Sequence, residues 1–382
     1  MPDNRVILRL GGLDWTYWTS VEVVRRMDAL AGAFSISLTD RWSAGMEPLP
    51  IMTGMECELL IDNDPLIKGY INKVTSSFGK DTHTLAISGR DRSGDLVDCS
   101  AVHSPGQWLG QDALQLCREL AAPFGIKISA QGDIGAAFET FHIEPGETAF
   151  EAMDRILKLR ELLASPDGKG GLTLIRAGAL ISESALTWGQ NIKAASIDFD
   201  ETDRFSSYLV QAQQQGSDSV FGLESSAVHA EIADPAVRRH RPLIVRAETV
   251  MDNAGAMQRA AWESSVRAAR SVSLNVTVQG FRQRGALGGP LWRENSVTQV
   301  SIPPLRLNQP MIIAAVTFRR DAQQGTQTLL ELKDPKAFKP APRTETAVYV
   351  GNLPPVEAEQ DLMSRYQDQA EDAQTQIKEG GV

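Results

Sequence analysis

Two stretches of this chain share one pattern and together decide its fold: KGYINKVTSSFGKDTHTLAISGRDRSGDLVDC, residues 68–99, and MIIAAVTFRRDAQQGTQTLLELKDPKAF, residues 311–338. Each holds an apolar strand, a polar tip, a second strand with alternating apolar residues and a charged exit. Alternation with a period of two residues on both sides of a short Gly-containing turn is typical of a β-hairpin. Because the pattern occurs twice, far apart, we predict two related β-modules in one chain.

The second strand of each hairpin predicts which side chains face the core. Leu85 and Ile87 alternate with polar residues in the first copy, and Leu330 and Leu332 do so in the second. Successive side chains of a strand point to opposite faces of its sheet. We therefore expect these four side chains to be buried in the cores of their modules.

Composition places the chain among folded, multidomain proteins. Its 382 residues are 42% hydrophobic and 23% charged, which is typical of a globular protein with two to three domains. The N-terminus lacks the apolar core of a signal peptide, and no window reaches the roughly 18 apolar residues of a membrane helix. We expect a protein that is made in the cytosol, is not secreted through a cleaved signal and has no stable membrane insertion.

Changes in sequence texture divide the chain into four parts. Short strands separated by turn residues predict a first β-barrel module over 1–101 and a second over 191–338, with a helix near 253–269. Residues 102–190 predict a small inserted α+β domain, and 339–382 a linker followed by a flexible acidic tail. The predicted fold class is α+β, mainly β, with two similar β-barrel modules flanking the inserted domain.

Three helices are predicted from apolar residues at helical spacing. The first ends at Pro123 and Gly125, and the second begins after Thr148 as N-cap. In the third, near 253–269, the side chains expected inside are Ala256, Ala260, Ala261 and Val266.

The charge of the chain is concentrated at its C-terminal end. Formal net charge is −10, and residues 344–382 hold eight acids against two bases, which leaves the body only mildly acidic. Nucleic-acid binding is driven by clustered Lys and Arg, so this distribution argues against a dedicated nucleic-acid binder.

The residues indicate no catalytic, cofactor or metal site. The sequence contains no nucleophile elbow, no phosphate-binding loop and no zinc-protease motif. Cys57, Cys99 and Cys117 show no CxxC spacing, and with five scattered histidines they give no zinc or redox signature. We interpret the cysteines as buried or half-buried reduced thiols.

Two charged clusters are candidate functional residues. Asp91, Asp95 and Asp98 lie close together, which could indicate carboxylate acid/base chemistry or a cation site. We favour the alternative that Arg90 and Arg92, which alternate with Asp91, pair locally with it. The cluster of Arg90, Asp91, Arg92 and Asp95 would then serve structure or a subunit interface.

The second cluster, the RRHR stretch with Arg238, Arg239 and Arg241, is the compact basic cluster of the chain. It is compatible with a solvated strand entry or with a docking patch for an acidic partner.

Four segments resemble a known family in the same order: AGAFSISLTDRW (31–42), AISGRDRSGDLVDCSA (86–101), FHIEPGETAFEAMDRI (141–156) and LELKDPKAF (330–338). They are similar to the baseplate hub proteins of Mu-like contractile-tailed phages, the Mu-like tail protein P family. The resemblance spans about residues 5–340, and GRDRSGDLVDCSA is its most specific part. The family is related to the hub module of type VI secretion spikes.

The resemblance implies a structural protein of the virion's tail baseplate, made in the host bacterial cytoplasm. It implies a homotrimeric ring that adapts a sixfold tail tube to a threefold membrane-piercing spike. The implied partners are further copies of the chain, the tail spike protein, and the tail tube or adjacent baseplate proteins. DNA passes through such a ring without specific binding. From the charge distribution we expect an inner wall that is acidic or neutral, with Arg238–Arg241 facing outward.

Two other functions stay open on the residues alone. Some phage tails carry a cell-wall hydrolase in the baseplate, and the middle domain offers carboxylates that such an enzyme would need. A host-glycan-binding module would instead use exposed members of the seven tryptophans.

Overall fold

The computed structural model describes residues 4–16, 18–39, 51–79, 83–212, 228–247, 251–285 and 288–339. The predicted acidic tail therefore lies outside the described residues. Within these ranges, no helix is both long enough and apolar enough to cross a membrane.

The N-terminal and C-terminal parts of the described chain are rich in strands, and the middle part contains both helices and strands. The N-terminal part holds β1 (Val6–Leu10), β2 (Leu13–Trp15), β3 (Ser20–Arg26), β4 (Ala33–Thr39), β5 (Glu56–Ile61), β6 (Asp64–Phe78), β7 (His83–Asp91) and the short helix α1 (Gly94–Asp98). The middle part holds β8 (Gln107–Gln111), α2 (Ala113–Ala121), β9 (Ile128–Ala130), β10 (Phe138–His142), α3 (Ala149–Arg160), β11 (Leu163–Pro166) and β12 (Leu172–Ile175).

The remaining elements form the C-terminal part. They are β13 (Leu180–Ile181), β14 (Leu186–Thr187), β15 (Ile192–Phe199), β16 (Ser207–Ala212), β17 (Val228–Ala233), β18 (Pro242–Arg246), α4 (Asn253–Arg270), β19 (Val272–Gln279), β20 (Ser296–Ile302), β21 (Leu307–Asp321) and β22 (Gly325–Lys333).

Both predicted hairpins are confirmed, and each belongs to a repeat of five strands. In the first module the strands pair in the order β3-β4-β7-β6-β5, and in the second in the order β15-β19-β22-β21-β20. The long strand of each hairpin has 15 residues and its partner has 9. Both hairpins carry one bulged residue, Asn72 in β6 and Ala314 in β21. We call these two five-strand units the first and second modules.

The expected pair of closed β-barrels is not what the strand pairing shows. Among the described residues, the strands of both modules pair along one open path from β15 to β2. The reason is that the free edge of β3 pairs with the distal half of β21, from Ala315↔Arg26 to Asp321↔Ser20. The first module therefore continues the sheet of the second and does not close on itself.

The two modules differ in what connects their first two strands. In the first module β3 and β4 are joined by a short turn, whereas in the second residues 200–271 lie between β15 and β19. This insertion forms a three-stranded sheet, β17-β16-β18, covered by α4. Its small core includes Val210, Ala230 and Ala256.

One continuous core lies under the strands of both modules. The four side chains predicted from alternation are all in it: Leu85 is 8% exposed, Leu330 is 1% exposed, and Ile87 and Leu332 are fully buried. At the seam between the modules, the rings of Phe281 and Phe318 pack edge to face at 5.5 Å. The predicted burial of Leu85, Ile87, Leu330 and Leu332 is confirmed, but the two modules share one core and do not have one each.

The middle part has its own core, built between α2, α3 and two small sheets. Thr148 caps α3 as predicted: its hydroxyl accepts from the Glu151 amide, and the Glu151 carboxylate accepts from the Thr148 amide. Helix α2 ends before Pro123, and Gly125 adopts a positive φ of 66° that closes the last turn.

One predicted helix face is partly wrong. In α4, Ala256, Ala260 and Val266 are buried as expected, but Ala261 is exposed. The buried position is Glu263, which pairs with Arg259 and Arg267 at 3.0 Å each. The spacing of apolar residues does not predict the burial of Glu263, because a carboxylate that is paired with arginines can also occupy a buried helix face.

The shared core predicts how the hairpins respond to a buried charge. Ile87→Asp removes about 1.5–3 kcal/mol of side-chain burial and adds the cost of a desolvated carboxylate. We expect loss of the cooperative unfolding transition at 25 °C, and the same for Leu330→Asp in the second module. Thr84→Asp, on the exposed face of β7, is the matched control and keeps a melting temperature near that of the wild type. A wild-type melting curve for Ile87→Asp would contradict the strand assignment.

Candidate functional site: the junction between the two modules

A buried ion pair joins the two modules and the middle part. Arg25 of β3 donates through Nη2 to Oε1 of Glu294, which precedes β20, at 2.7 Å. The side chains of Arg25 and Glu294 are only 8% and 2% exposed. Arg25 also donates to the carbonyl of Leu66 on β6 at 3.2 Å and to that of Pro166 on β11 at 2.6 Å. The Arg25 guanidinium thus connects its own strand, β3, to β6, to the middle part and to the second module.

Three exposed or half-buried contacts surround this pair at the same seam. Arg26 binds Glu331 on β22 at 3.0 Å. Arg282, in the second module, binds Asp62, in the turn between β5 and β6, at 3.0 Å and Asp64, the first residue of β6, at 2.8 Å. Ion pairs therefore cross the seam in both directions, because the first module contributes Arg26 and the second contributes Arg282.

The middle part reaches the seam through a tight turn between β11 and β12. Gly168 has a φ of +77°, and a Cβ atom there would lie 2.5 Å from the carbonyl oxygen of Pro65. Asp167 shapes this turn by accepting from the amides of Lys169 at 2.7 Å and Gly171 at 2.9 Å. A side chain at residue 168 would force the middle part away from β6.

The sequence-predicted cluster around residue 91 does not pair within itself. Arg90 pairs with Asp98, and Arg92 binds Glu56 at 2.6 Å. Asp95 is half-buried at the start of α1. Local pairing between Asp91 and its two arginine neighbours is therefore wrong, because strand alternation points Arg90 and Arg92 away from it.

Asp91 itself is an internal residue, only 4% exposed. Its carboxylate accepts from the amides of Gly32 at 2.9 Å and Lys68 at 3.3 Å, which ties β7 to β4 and β6. Burial raises the pKa of Asp91 to about 7, although Arg25 and the two amides act in the opposite direction. These contacts support the structural role for Asp91, one of the two roles expected for its cluster, and an interface role for the cluster stays a prediction.

The basic cluster lies at the entry of β18, as one of its two interpretations predicted. Arg238 and Arg239 are exposed, whereas Arg241 is half-buried. Arg241 donates to the carbonyl of Thr202 at 2.6 Å and lies over the ring of Phe205 at 5.3 Å. Only the first two arginines are therefore presented on the surface, and an interface role for the cluster stays a prediction.

The cysteines are free, and two of the three are buried as expected. Burial raises the pKa of Cys57 and of Cys117 to about 12, so both stay protonated thiols. Cys99 is exposed, which corrects the expectation for that residue. Within the described ranges, no group of three or more His, Cys, Asp or Glu side chains is placed to hold a metal ion.

Sequence reasoning missed Arg25 and Glu294, the residues that join the modules. Arg25 lies in the run VEVVRR, where alternation places it on the same face as Val21 and Val23. An arginine on the core-facing side of a strand was the available signal. Glu294 carries no comparable signal, because it precedes its strand in an irregular segment.

Family comparisons place this duplicated, mainly β architecture among the hub proteins of phage tails. Residues 5–91 match the Mu phage baseplate assembly protein GpP-like N-terminal domain, residues 93–176 the second domain of gp44-like baseplate hub proteins, and residues 252–341 the fourth domain of GpP.

Individual relatives cover most of the chain. The baseplate hub protein gp44 of Escherichia phage Mu is 28% identical over 347 residues, which are 88% of this chain and 89% of gp44. The 43 kDa tail protein of prophage MuSo2 from Shewanella oneidensis is 31% identical, with a TM-score of 0.77 over 88% of this chain and 100% of that protein. The chain belongs to the family of Mu-like baseplate hub proteins, and the predicted family is confirmed.

The expected relation to type VI secretion spikes holds at the level of fold. The c3393 protein of E. coli, described as a component of the type VI secretion system, is 10% identical, with a TM-score of 0.50 over 88% of this chain and 77% of that protein. That likeness concerns the fold alone.

The buried ion pair predicts a non-additive response to mutation. Removing one partner of a buried pair costs about 3–5 kcal/mol, because the other charge is left without compensation. We expect Arg25→Met to lower the free energy of unfolding by that amount, and the double variant Arg25→Met/Glu294→Met to lose less than the sum of the single losses. Urea unfolding of the four proteins measures the coupling.

The matched control for this cycle is the exposed pair of Arg9 and Asp14, where Arg9 is 41% exposed. Arg9→Met is expected to cost at most about 1 kcal/mol. Additive losses at Arg25 and Glu294 would show that the pair does not join the modules energetically.

Asp91 predicts a specific pH dependence of stability. Its pKa rises from 3.8 to about 7 on folding, so the folded chain binds more protons than the unfolded chain between these values. The contribution of Asp91 to the free energy of unfolding therefore falls as pH rises from 4 to 7. We expect Asp91→Asn to gain stability relative to the wild type across that window, measured by urea unfolding at intervals of one pH unit.

The control for this titration is Asp98→Asn. The hydrogen bond from Arg90 holds the pKa of Asp98 below its usual value, so this group does not titrate between pH 5 and 7. The stability difference between Asp98→Asn and the wild type is expected to be constant over that range. Parallel pH profiles for the wild type and Asp91→Asn would contradict the assignment.

Proposed function

We propose that this protein is a homotrimeric baseplate hub that adapts a sixfold tail tube to a threefold membrane-piercing spike. The observation that carries the proposal is the repeated order of five strands in one chain. Three copies of a chain with two similar modules provide six near-equivalent positions on one face. The same ring keeps threefold symmetry wherever the two modules differ.

The difference between the modules supports this division of roles. The insertion 200–271 interrupts only the second module, so it occurs three times in a trimer. The strand repeats occur six times. We assign the six strand repeats to the tail tube, and the threefold set of insertions to the spike or to adjacent baseplate proteins.

The proposed partners are further copies of the chain, the tail spike protein, and the tail tube or adjacent baseplate proteins. The protein is placed in the tail baseplate of the virion after synthesis in the host cytoplasm. Its role is structural and not enzymatic. Exposed Arg238 and Arg239 in the insertion support an outward-facing contact with an acidic partner. Arg90, Arg92 and Asp95 are the remaining candidates for subunit contacts.

DNA passes through the proposed ring without being held. Phosphate binding requires clustered Lys and Arg, and the mild charge of the chain body supports a neutral or acidic inner wall.

The division into residues 1–101, 102–190, 191–338 and 339–382 is part of the same proposal. The separate core of the middle part supports it.

The oligomeric state tests this proposal. We expect light scattering at micromolar concentration to give three times the mass of the chain, and electron micrographs to show a threefold ring with a central hole. Charge reversal on the surface, as in Arg238→Glu/Arg239→Glu, is a control that leaves the trimer intact, because these arginines are assigned to an external partner. A strictly monomeric chain would contradict the trimer.

A further inference from the structure

The small sheet of the insertion has one edge that no described strand covers. β18 pairs in parallel with β16, and among the described strands it has no second neighbour. The carbonyl of Arg241 and the amide of Ala247 are both hydrogen-bonded toward β16, at 2.8 Å each. Because the direction of these groups alternates along a strand, the amides and carbonyls of Ile244 and Arg246 point outward from the sheet.

Side chains along this edge are also incompletely covered. Val245 packs on the core beneath α4, and Leu243 lies on the same face of the strand, yet both are only half-buried. In the central strand of the sheet, by contrast, Tyr208 and Val210 are fully buried. On the other face of the sheet, Ile244 is 59% exposed. A further strand on the outer side of β18 would complete the burial of these side chains and pair its free backbone groups.

Charge distinguishes this edge of the sheet from the opposite one. The stretch RRHRPLIVR, residues 238–246, holds four arginines and no acid. Of these arginines, Arg238, Arg239 and Arg246 are exposed. The opposite edge strand, β17, instead presents the exposed Glu231. An acidic segment is therefore attracted to β18 and repelled by β17.

The chain itself contains an acidic segment with the composition of a strand. Residues 345–350 read ETAVYV, and GNLPP follows them. Thr, Val and Tyr favour strands, and Gly and Pro bound the run, so the sequence predicts a short strand there. From residue 344 to the end of the chain, eight acids beginning with Glu345 stand against two bases. This segment has the charge that the β18 edge attracts.

The described chain ends beside the same sheet, on α4. Trp262 donates through Nε1 to the carbonyl of Lys339 at 2.8 Å, and Arg270 donates to that of Ala337 at 3.1 Å. The chain thus runs along α4 from its C-terminal end toward its N-terminal end. α4 packs on β16, and β18 lies one strand, about 4.8 Å, beyond it. Residues 340–344 span up to about 17 Å when extended, which is enough to reach that edge from α4.

Contacts at the start of β18 set the direction of a docked segment. Arg241, at the entry of β18, and Arg267, near the end of α4, both lie over the ring of Phe205, at 5.3 and 5.5 Å. α4 and β18 therefore run in opposite directions, and the chain that passes Lys339 heads toward the end of β18. A segment that follows meets this end first and returns along β18 antiparallel to it.

We propose that residues 345–350 add to the outer edge of β18 as an antiparallel fourth strand of the insertion's sheet, with Glu345 opposite Arg246 and Ala347 opposite Ile244. This register places the first carboxylate of the tail directly across from an exposed guanidinium, a favourable cross-strand pair. The occupant is the tail of the same chain, because the described chain ends within reach of this edge.

The register also accounts for the core-facing side of β18. Val348 comes opposite Leu243, and Thr346 opposite Val245, so that β-branched side chains cover the two that are half-buried. The acids from residue 357 onward then follow at the entry of β18, next to the basic cluster. This inference goes beyond the proposed trimer and does not depend on it, so a monomer in light scattering would leave it standing.

Hydrogen exchange of the full chain tests the pairing. In the proposed register the amide of Ile244 donates to residue 347, and the amide of Ala347 donates to residue 244. We expect Ala347→Pro, which removes one of these donors, to speed the exchange of Ile244 and Arg246 by about tenfold or more. Mass spectrometry with fragmentation that resolves single residues measures both amides.

The matched control is Val348→Pro. The amide of residue 348 points away from β18 in this register, and proline is tolerated where the amide of an edge strand faces solvent. We expect the exchange of Ile244 and Arg246 to stay within about threefold of the wild type. Both substitutions lie outside the described fold, so both variants are expected to keep the melting temperature of its core.

Two results would overturn the inference. Fast exchange of Ile244 and Arg246 in the wild type would show that the edge is open to water. Slow exchange that Ala347→Pro leaves unchanged would show that a segment other than 345–350 covers it.

Disulfide formation separates the chain's own tail from the tail of a second copy. In a Cys99→Ser background, which removes the exposed native thiol, Ile244→Cys/Ala347→Cys joins residues with Cα atoms about 5.5 Å apart, within the range of a disulfide. We expect the disulfide within a band of monomeric mass on non-reducing gels. Glu231→Cys/Ala347→Cys, which moves one cysteine to the opposite edge strand, is expected to give about fivefold less disulfide.

The two disulfide pairs can also contradict the inference. Disulfide-linked dimers in place of the product within one chain would overturn the assignment to the chain's own tail. Equal yields from the two pairs would overturn the choice of the β18 edge.

Discussion

The structure depends on one strand, β21, that serves two modules at once. Its distal half forms a hairpin with β22 on one edge and pairs with β3 on the other. Because β3 belongs to the first module, the two modules cannot rotate against each other without breaking a ladder of backbone hydrogen bonds. The buried pair of Arg25 and Glu294 lies at the same seam. Its desolvation is offset only while both modules and the middle part are in place.

The two modules keep the same ladder while their side chains diverge. Leu332 of the second module corresponds to Gly89 of the first, where a Cβ atom would lie 2.7 Å from the ring of Phe34. Fully buried Thr328 corresponds to Leu85, and its hydroxyl donates to the carbonyl of Gly280 at 2.7 Å. Such exchanges conserve the packing of a core without conserving identity. Low identity between the copies is therefore compatible with a common architecture.

Local pattern predicted the elements of this protein better than their assembly. Alternation located both hairpins and the buried face of each, because a strand's period is a local property. The pairing of β21 with β3 joins residues about 300 positions apart, and alternation does not say which strand edges pair. For the same reason two closed barrels were expected where the sheet is continuous. The local ion pairing predicted for Asp91 is wrong because its partners are backbone amides, which no pattern of charges reveals.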